Sequence, residues 1–412
     1  MNKNLESYKK IIGKEEIERI KKKAAKLKGK HIVNISSTYQ GGGVAEILNN
    51  IIFLFNNQGI QVGWRILHGN DRFFSITKKF HNGLQGAQIK LSNANKQTYY
   101  DTNKQYSVYT HIVHDLVVVH DPQPLAIIDF YKKVQPWVFR CHVDLTNPNP
   151  EVWNFLKKFI KKYDHMIVSK QEYKQNINIK QSIIHPAIDP LSNKNKPLQK
   201  DIVEKILTKY KIKKNKPIIS QISRFDKWKD PLGVIKVFEQ VRAKKDCQLI
   251  LLGSFATDDP EGLKIFEKVK TTAENSKYKK DIKIITADDS LLVNCLQRFS
   301  DVVIQKSKKE GFGLTVAEAL YKETPVVSSH VGGIPLQIID NENGFLSKPT
   351  NNKAFTDKIL YLLNNPKIRQ EMGKKGKEHI KKNFLITRLF EDYIDLFTEY
   401  LINDNKKKQS KK

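Results

Sequence analysis

The 412-residue chain is longer than a single hydrophobic core usually supports, so two domains of ordinary size are expected. With 39% apolar and 28% charged residues, and no apolar run near the roughly 20 residues of a membrane span, the composition excludes a membrane-spanning protein and predicts a cytoplasmic, globular one. The net charge of +29 suits nucleic acid, an anionic membrane surface or a phosphate-bearing substrate, and it does not choose among them.

Short apolar runs alternate with segments of helical periodicity along the first half of the chain. Residues 1–30 carry apolar positions at helical spacing, which predicts an amphipathic helix. The apolar runs that follow are "HIVNIS", "QVGWRIL", "LVVVH", "PWVFRC", "HMIVS" and "SIIHP". Because parallel strands need helical crossovers, this alternation predicts a doubly wound α/β domain over residues 1–190.

A second α/β domain is predicted beyond a linker at residues 186–197, which is rich in Pro, Asn and Lys. The strand-like runs resume as "PIISQIS", "CQLILLG", "IKIIT", "DVVIQ" and "PVVSS", so the second domain spans residues 198–384. A helix at about 385–402 is expected to pack back on the first domain, and residues 403–412 are expected to form a disordered basic tail.

One candidate site lies between the strand "DVVIQ" and the following helix, which is expected to begin near Leu314 or Thr315. Glu310 lies in the turn and Glu318 about one helical turn further on. A helix N-terminus offers unpaired N–H groups and roughly +0.5 of a charge, so a phosphate is its natural ligand. The two carboxylates would then touch different parts of one extended ligand. On spacing alone, a solvated loop acid and an acid favoured by the helix dipole explain them equally well.

Two cations follow the first strand of the second domain, in "SRFDKWKDP". Arg224 and Lys229 lie at the carboxyl end of that strand, where open α/β sheets bind ligands. They would neutralise a diphosphate leaving group, and surface cations beside a proline turn are the alternative interpretation.

The first domain carries candidates in two loops at strand ends. Three glycines, Gly41 to Gly43, would let the backbone approach a ligand, although "QGGGVAE" is neither GxGxxG nor a P-loop and does not support ordinary dinucleotide or ATP binding. His142 and Asp144 follow the strand "PWVFRC". A packed core histidine is the alternative for His142.

The ordered set "GGGVAE", "CHVD", "SRFDKWKD" and "EGFGLTVAE", followed by "VGG", resembles the retaining family-4 glycosyltransferases of the GT-B fold. Within them, "HGNDRFFSITKKFHNGLQG", "VHDPQP" and "DDPEG" are most similar to the branch of trehalose glycosyltransferring synthases and trehalose phosphorylases. The resemblance covers about residues 30–400. It implies two Rossmann-like domains facing a cleft, with a nucleotide sugar held mainly by the second domain and the acceptor on the side of the first.

The resemblance also implies a role for each candidate in the second domain. Glu318 would bind the ribose hydroxyls, Arg224 and Lys229 would hold the diphosphate, and Glu310 would grip hydroxyls of the donor glucose. Further donors would come from the main chain of Gly311, Phe312, Gly313, Leu314 and Thr315.

In the first domain, the resemblance places His142 beside the donor sugar. Asp144 and Asp71 would lie on the acceptor side, and Gly42 and Gly43 would approach the diphosphate. The catalytic candidates are therefore His142, Arg224, Lys229 and Glu310.

The implied reaction forms trehalose reversibly from a nucleoside diphosphate glucose and glucose. No cofactor is expected, no DxD-like metal cluster stands in a suggestive place, and stimulation by Mg²⁺ is left open. The segment "ITADDSLLVNCLQ", where such enzymes often bind the base, looks shorter than in the relatives that the chain resembles, so UDP, ADP and GDP all stay open.

Alternatives to this function exist within enzymes and in a different class of protein. A trehalose phosphorylase, or another family-4 hexosyltransferase, would use the same residues. A polyanion-binding protein would instead bind nucleic acid with a strong salt dependence that survives loss of Glu310 and Arg224. The expected partners are the small-molecule nucleotide sugar, glucose and trehalose, without nucleic acid or a membrane, and a homodimer is left open.

Overall fold

The computed structural model describes residues 4–40, 42–254 and 261–403. Gly41 and the tail predicted beyond Asn403 lie outside these ranges. The described chain divides into two compact units, one of residues 4–187 with 386–403 and one of residues 188–254 with 261–385. Within the described ranges, no helix is both long and apolar enough to cross a membrane.

The first unit is built on a six-stranded sheet in which every neighbouring pair of strands is parallel. The strands are β1 (His31–Ser36), β2 (Gln61–Ile66), β3 (Leu116–His120), β4 (Trp137–Arg140), β5 (His165–Val168) and β6 (Lys180–Ile183), in the order β2-β1-β3-β4-β5-β6. The residues of β3, β4 and β5 are all buried, as expected for central parallel strands whose two faces are both covered.

Helices connect these strands and precede the sheet. They are α1 (Lys9–Ile12), α2 (Lys14–Ala24), α3 (Gly43–Asn57), α4 (Asp71–Leu84), α5 (Asn93–Tyr109) and α6 (Pro150–Ile160). The opening amphipathic helix is interrupted at Gly13, which adopts a φ of 91° that favours glycine. Beyond that break, Ile17, Ile20 and Ala24 are buried at the spacing of one helix face.

The second unit repeats the architecture with a second fully parallel sheet. Its strands are β7 (Ile218–Ile222), β8 (Gln248–Gly253), β9 (Ile282–Thr286), β10 (Val302–Gln305), β11 (Val326–Ser329) and β12 (Phe345–Ser347), in the order β12-β11-β10-β7-β8-β9. Its helices are α7 (Lys200–Lys209), α8 (Pro231–Arg242), α9 (Gly262–Glu274), α10 (Ser290–Phe299), α11 (Leu314–Tyr321), α12 (Asn352–Asn364) and α13 (Pro366–Asn383). The sequence pattern missed β12, because three residues are too few to show a period.

The last helix, α14 (Ile386–Thr398), belongs to the first unit and packs against α2 and α3. The ring centroids of Phe390 and Phe55 lie 4.7 Å apart. Lys23 Nζ lies 2.8 Å from a carboxylate oxygen of Glu391 and 2.7 Å from one of Asp395. Apolar packing and ion pairs thus both fix this helix to the first unit.

Each sheet contains one point where the strand order reverses, between β1 and β3 in the first and between β7 and β10 in the second. In open α/β sheets, ligands bind beyond the carboxyl ends of the strands at such a point. The predicted fold class, two doubly wound Rossmann-like units, is confirmed by this topology.

Candidate active site

In the second unit, the loops that follow β7 and β10 meet because these two strands are neighbours in the sheet. The main-chain N–H of Lys308 donates to the carbonyl of Trp228 over 2.7 Å. The side chain of Gln221 donates to the carbonyl of Lys229 over 2.8 Å. The first bond joins two segments that are 80 positions apart in sequence, and the second holds the loop after β7 against its own strand, so the two loops form one charged surface at the switch point.

The carboxylate of Glu310 is the centre of this surface. Its Oε2 accepts hydrogen bonds from the ammonium of Lys229, from Ser307 Oγ at 3.1 Å and from Gln305 Nε2 at 3.3 Å. The residue is only 7% exposed. Burying a carboxylate is costly unless it is paired and hydrogen-bonded, and one cation with two neutral donors meets that requirement.

The segment 227–230 is held in an unusual conformation by a second ion pair. Asp230 has a φ of 50°, in the left-handed region that a non-glycine residue rarely adopts. Its carboxylate accepts from the buried ammonium of Lys306 over 2.6 Å, and Lys306 also donates to the carbonyl of Pro349 over 2.8 Å. A Cβ at Gly233 would lie 2.1 Å from Asp230 Oδ2 and 2.7 Å from Lys306 Nζ, so a side chain there would displace this ion pair. This pair positions Lys229, the residue before Asp230.

The N-terminus of α11 follows Glu310 directly. Gly313 precedes the helix with a φ of 86°, which turns the chain into it. A Cβ at Gly333 would lie 2.8 Å from the carbonyl oxygen of Gly311, so the glycine pair of "VGG" allows that loop to pack on the turn. Phe312 is buried, with its ring 5.5 Å from that of Phe384. Leu314 and Thr315 are half-buried in the first helical turn, where N–H groups lack intrahelical acceptors and suit an anion.

Glu318 lies inside α11 and is 2% exposed. Its Oε2 accepts from Gln297 Nε2 at 3.2 Å, and its Oε1 lies 4.0 Å from Lys194 Nζ. Gln297 Oε1 accepts from Lys322 Nζ at 2.8 Å, and the same ammonium donates to Asn195 Oδ1 at 2.6 Å. A buried polar network thus fixes one oxygen of Glu318.

Arg224 lies two residues past the end of β7 and is half-buried. Its neighbour Phe225 is buried, with its ring 5.1 Å from that of Phe266. The backbone that carries Arg224 is therefore anchored by apolar packing in the same loop that carries Lys229.

In the first unit, His142 follows β4 and is half-buried. Its Nε2 lies 3.0 Å from Nδ1 of His120, whose Nε2 lies 2.9 Å from Oδ1 of Asn34. Its main-chain N–H donates to Asp121 Oδ1 over 2.8 Å.

Burial lowers the pKa of His120 to about 3, and the neighbouring charge of Arg140 acts in the same direction. Burial, Arg140 and His120 likewise hold the pKa of His142 well below its ordinary value. Both rings are therefore neutral at neutral pH.

The other first-unit candidates differ in burial. Asp144 is 3% exposed, and its Oδ1 accepts from the main-chain N–H and the hydroxyl of Thr146 over 2.9 and 2.6 Å. Asp71 is exposed in the first turn of α4. Gly42 precedes α3 and Gly43 is its first residue. Among the described residues, none beyond its chain neighbours would lie within 4 Å of a Cβ at Gly42.

The structure thus brings Lys229 and Glu310 into direct contact, and it places Glu318 on the helix that starts beside them. Sequence reasoning missed the residues that hold these groups. Some of them carried a readable signal, because a polar residue that ends an apolar strand, as His120 ends "LVVVH", lies at the ligand-binding edge of a parallel sheet. The larger set that sequence reasoning missed is Asn34, His120, Asp230, Gln297, Gln305, Lys306, Ser307 and Lys322. In the described ranges, no cluster of three or more His, Cys, Asp or Glu side chains could hold a metal ion.

Comparison with solved structures identifies the fold. The α,α-trehalose 6-phosphate synthase of Burkholderia multivorans superposes with a TM-score of 0.71 at 14% identity, over 92% of this chain and 98% of that one. At this identity the likeness shows the fold alone. The chain has the GT-B fold.

Sequence comparison identifies the family. Residues 34–175 match the family described as "Trehalose synthase, N-terminal domain", and residues 203–379 match "Glycosyl transferases group 1". A trehalose synthase of Pyrococcus horikoshii is 45% identical over 400 residues, which cover 95% of each chain. A trehalose phosphorylase of Grifola frondosa is 28% identical, over 92% of this chain and 58% of that protein. These matches show that the chain is a glycosyltransferase of the hexosyltransferase class. It belongs to the trehalose synthase family, as its motifs predicted.

Proposed function

We propose that the protein transfers glucose from a nucleoside diphosphate glucose to free glucose, with retention of the anomeric configuration, and so forms trehalose reversibly. Full-length similarity to trehalose synthases supports formation of trehalose. The observation that carries the proposal further is the buried Glu310 carboxylate, which Lys229 pairs at the N-terminus of α11 and at a topological switch point.

The donor is proposed to lie along this surface of the second unit. Glu318 accepts the ribose hydroxyls, Arg224 and Lys229 neutralise the diphosphate, and the N–H groups at the start of α11 add donors to it. Glu310 accepts hydroxyls of the donor glucose. Carboxylates suit the hydroxyl groups of the ribose and of the glucose, and cations suit the diphosphate between them. The order of these groups matches the order of the parts of a nucleotide sugar.

The proposed step breaks the bond between the glucose C1 and the diphosphate oxygen and forms a bond from C1 to a hydroxyl oxygen of the acceptor glucose. The proton of that hydroxyl passes to the leaving diphosphate, so charge and atoms balance without a covalent enzyme intermediate. Charge grows on the diphosphate as the bond breaks. Arg224 and Lys229 therefore act most strongly in the transition state, where one such contact is typically worth about 10²- to 10³-fold in rate.

The first unit is proposed to supply the contacts to the sugars. His142 contacts the donor glucose, and Asp144 and Asp71 orient the acceptor, with Gly42 and Gly43 approaching the diphosphate. A neutral imidazole suits this role, because it can both donate to and accept from sugar hydroxyls and is not drawn to the negative charge of the diphosphate. No cofactor enters the proposed reaction.

Incubation with trehalose and a phosphate co-substrate tests the proposal. We expect NDP-glucose to form when trehalose is supplied with a nucleoside diphosphate, and glucose 1-phosphate not to form with inorganic phosphate. Glucose 1-phosphate alone would identify a phosphorylase instead. If neither product forms, both the synthase and the phosphorylase activities are refuted. Salt-sensitive binding to nucleic acid that is retained in Glu310→Ala and Arg224→Ala would then favour a polyanion-binding protein. The reaction repeated with EDTA tests independence from Mg²⁺.

A further inference from the structure

Three polar side chains form a hydrogen-bonded chain across adjacent strands of the first sheet. Asn34 lies on β1, His120 ends β3, and His142 lies two residues past β4, and these three strands are neighbours in the sheet. Asn34 is 7% exposed and His120 is 2% exposed, whereas His142, the last of the three hydrogen-bonded side chains, is half-buried. The planes of the two imidazole rings are inclined by only 17°. In the described part of the protein, His120 is the one hydrogen-bond partner of the His142 ring.

The direction of this chain follows from the chemistry of its members. A neutral imidazole carries one N–H donor and one bare nitrogen that accepts. In a hydrogen bond between two neutral rings, one ring is therefore the donor and the other the acceptor. The carbonyl oxygen of Asn34 can only accept, which requires the proton of His120 on Nε2. Nδ1 of His120 is then bare and accepts, which requires the proton of His142 on Nε2.

We propose that Asn34 and His120 are positioning residues that hold His142 with its proton on Nε2 and leave its Nδ1 as a hydrogen-bond acceptor. The low pKa of His120 supports this, because a protonated ring would donate from both nitrogens and could no longer accept the hydrogen bond from His142. Neither residue touches the reacting atoms.

The consequence for the reaction rests on the proposed function. Sugar hydroxyls both donate and accept, so a bare Nδ1 selects the pose in which a hydroxyl of the donor sugar points its hydrogen at His142. If the proton moved to Nδ1, that hydroxyl would have to accept a hydrogen bond from His142 instead of donating one. The buried pair thereby fixes the direction of hydrogen bonding at the sugar.

Nitrogen NMR of the ¹⁵N-histidine-labelled full-length protein tests the proposal. The resonances of His142 are assigned by their loss in His142→Gln. We expect a pyrrole-type Nε2 and a pyridine-type Nδ1 in the unliganded wild type at neutral pH. A pyrrole-type Nδ1 would overturn the proposal. This result does not depend on catalysis, so it stays informative even if no trehalose forms and the proposed function fails.

Variants of Asn34 test the relay itself. Asn34→Leu removes the fixed acceptor, and we expect mixed His142 tautomers with a fall in kcat/KM of roughly 5- to 10-fold, the effect of about one lost hydrogen bond. Asn34→Asp keeps an acceptor in the same place, but its negative charge raises the pKa of His120. It should therefore restore both the tautomer and most of the rate at pH values where His120 stays neutral. His31→Gln, at the other end of β1, is the control and should change neither. An unchanged tautomer in Asn34→Leu, or rate loss without rescue by Asn34→Asp, would overturn the positioning role.

Discussion

Replacement of Glu318 by glutamine tests nucleotide recognition with little change in shape. Gln297 Nε2 donates to Oε2 of this carboxylate, so the amide oxygen of the substituted side chain should turn toward Gln297. The amide NH₂ group then takes the place of Oε1, on the side where Lys194 lies 4.0 Å away. An amide NH₂ group cannot accept a hydrogen bond from a ribose hydroxyl. The variant therefore loses the negative charge and one acceptor while keeping its packing.

The expected loss of affinity follows from these changes. A hydrogen bond to a charged group contributes about 1.5–3 kcal/mol and one between neutral groups about 0.5–1.5 kcal/mol. If Glu318 accepts two ribose hydroxyls, the change costs about 2–3 kcal/mol, or roughly 30- to 150-fold in Kd. The free energy of unfolding should change by less than about 1 kcal/mol, because the bond to Gln297 survives.

Isothermal titration calorimetry with a nucleoside diphosphate measures the effect directly. Glu371→Gln is the matched control, since Glu371 is an exposed acid on α13 of the same unit and its loss removes the same charge. The control should bind as the wild type does. A Kd in Glu318→Gln equal to that of the control would mean that Glu318 does not bind the ribose.

Further outcomes follow from the other groups of the site and from one buried histidine. Arg224→Ala and Lys229→Ala should each lower kcat by about 10²-fold or more while weakening nucleoside binding less, and near wild-type turnover in both would remove their role at the leaving group. His142→Ala should abolish transfer and leave Tm and NDP affinity almost intact, whereas a lowered Tm with proportionate activity would indicate a packed core histidine. His165, hydrogen-bonded to Tyr400 and Ser182, has a pKa lowered by burial from 6.5 to about 4. Its contribution to stability is thus complete above pH 6.5 and is lost toward pH 4, at about 1.4 kcal/mol per pH unit. The free energy of unfolding, measured with urea between pH 4 and 6.5, should depend less steeply on pH in His165→Gln than in the wild type. Equal slopes for the two proteins would contradict the lowered pKa of His165.

Much of the fold could be predicted because its signals are local. Apolar runs bounded by turn residues identified eleven of the strands, and their alternation with helical periods required parallel pairing. The break at Gly13 and the short strand β12 were missed, since one φ angle and three residues leave no periodic trace.

The candidate site could be predicted only in part. Glu310 and Lys229 could be selected as candidates because they lie in loops that directly follow β10 and β7, and Glu318 because it lies in the helix that follows Glu310. Their roles stay predictions, since spacing alone explained the two carboxylates equally well as a solvated loop acid and an acid favoured by the helix dipole. The groups that hold them arise from strand order, which sequence does not display. Lys306 and Asp230 pair across 76 positions, a contact that follows only once β7 and β10 are known to be neighbours.

The central claim is most directly tested by ¹H NMR of the protein mixed with glucose and, in turn, UDP-, ADP- and GDP-glucose. The proposed function predicts that α,α-trehalose and the matching nucleoside diphosphate accumulate in equal amounts from at least one donor, with the α configuration of the donor retained. It also predicts that His142→Ala forms no trehalose under the same conditions. Absence of trehalose with all three donors, or a β-linked product, would contradict it.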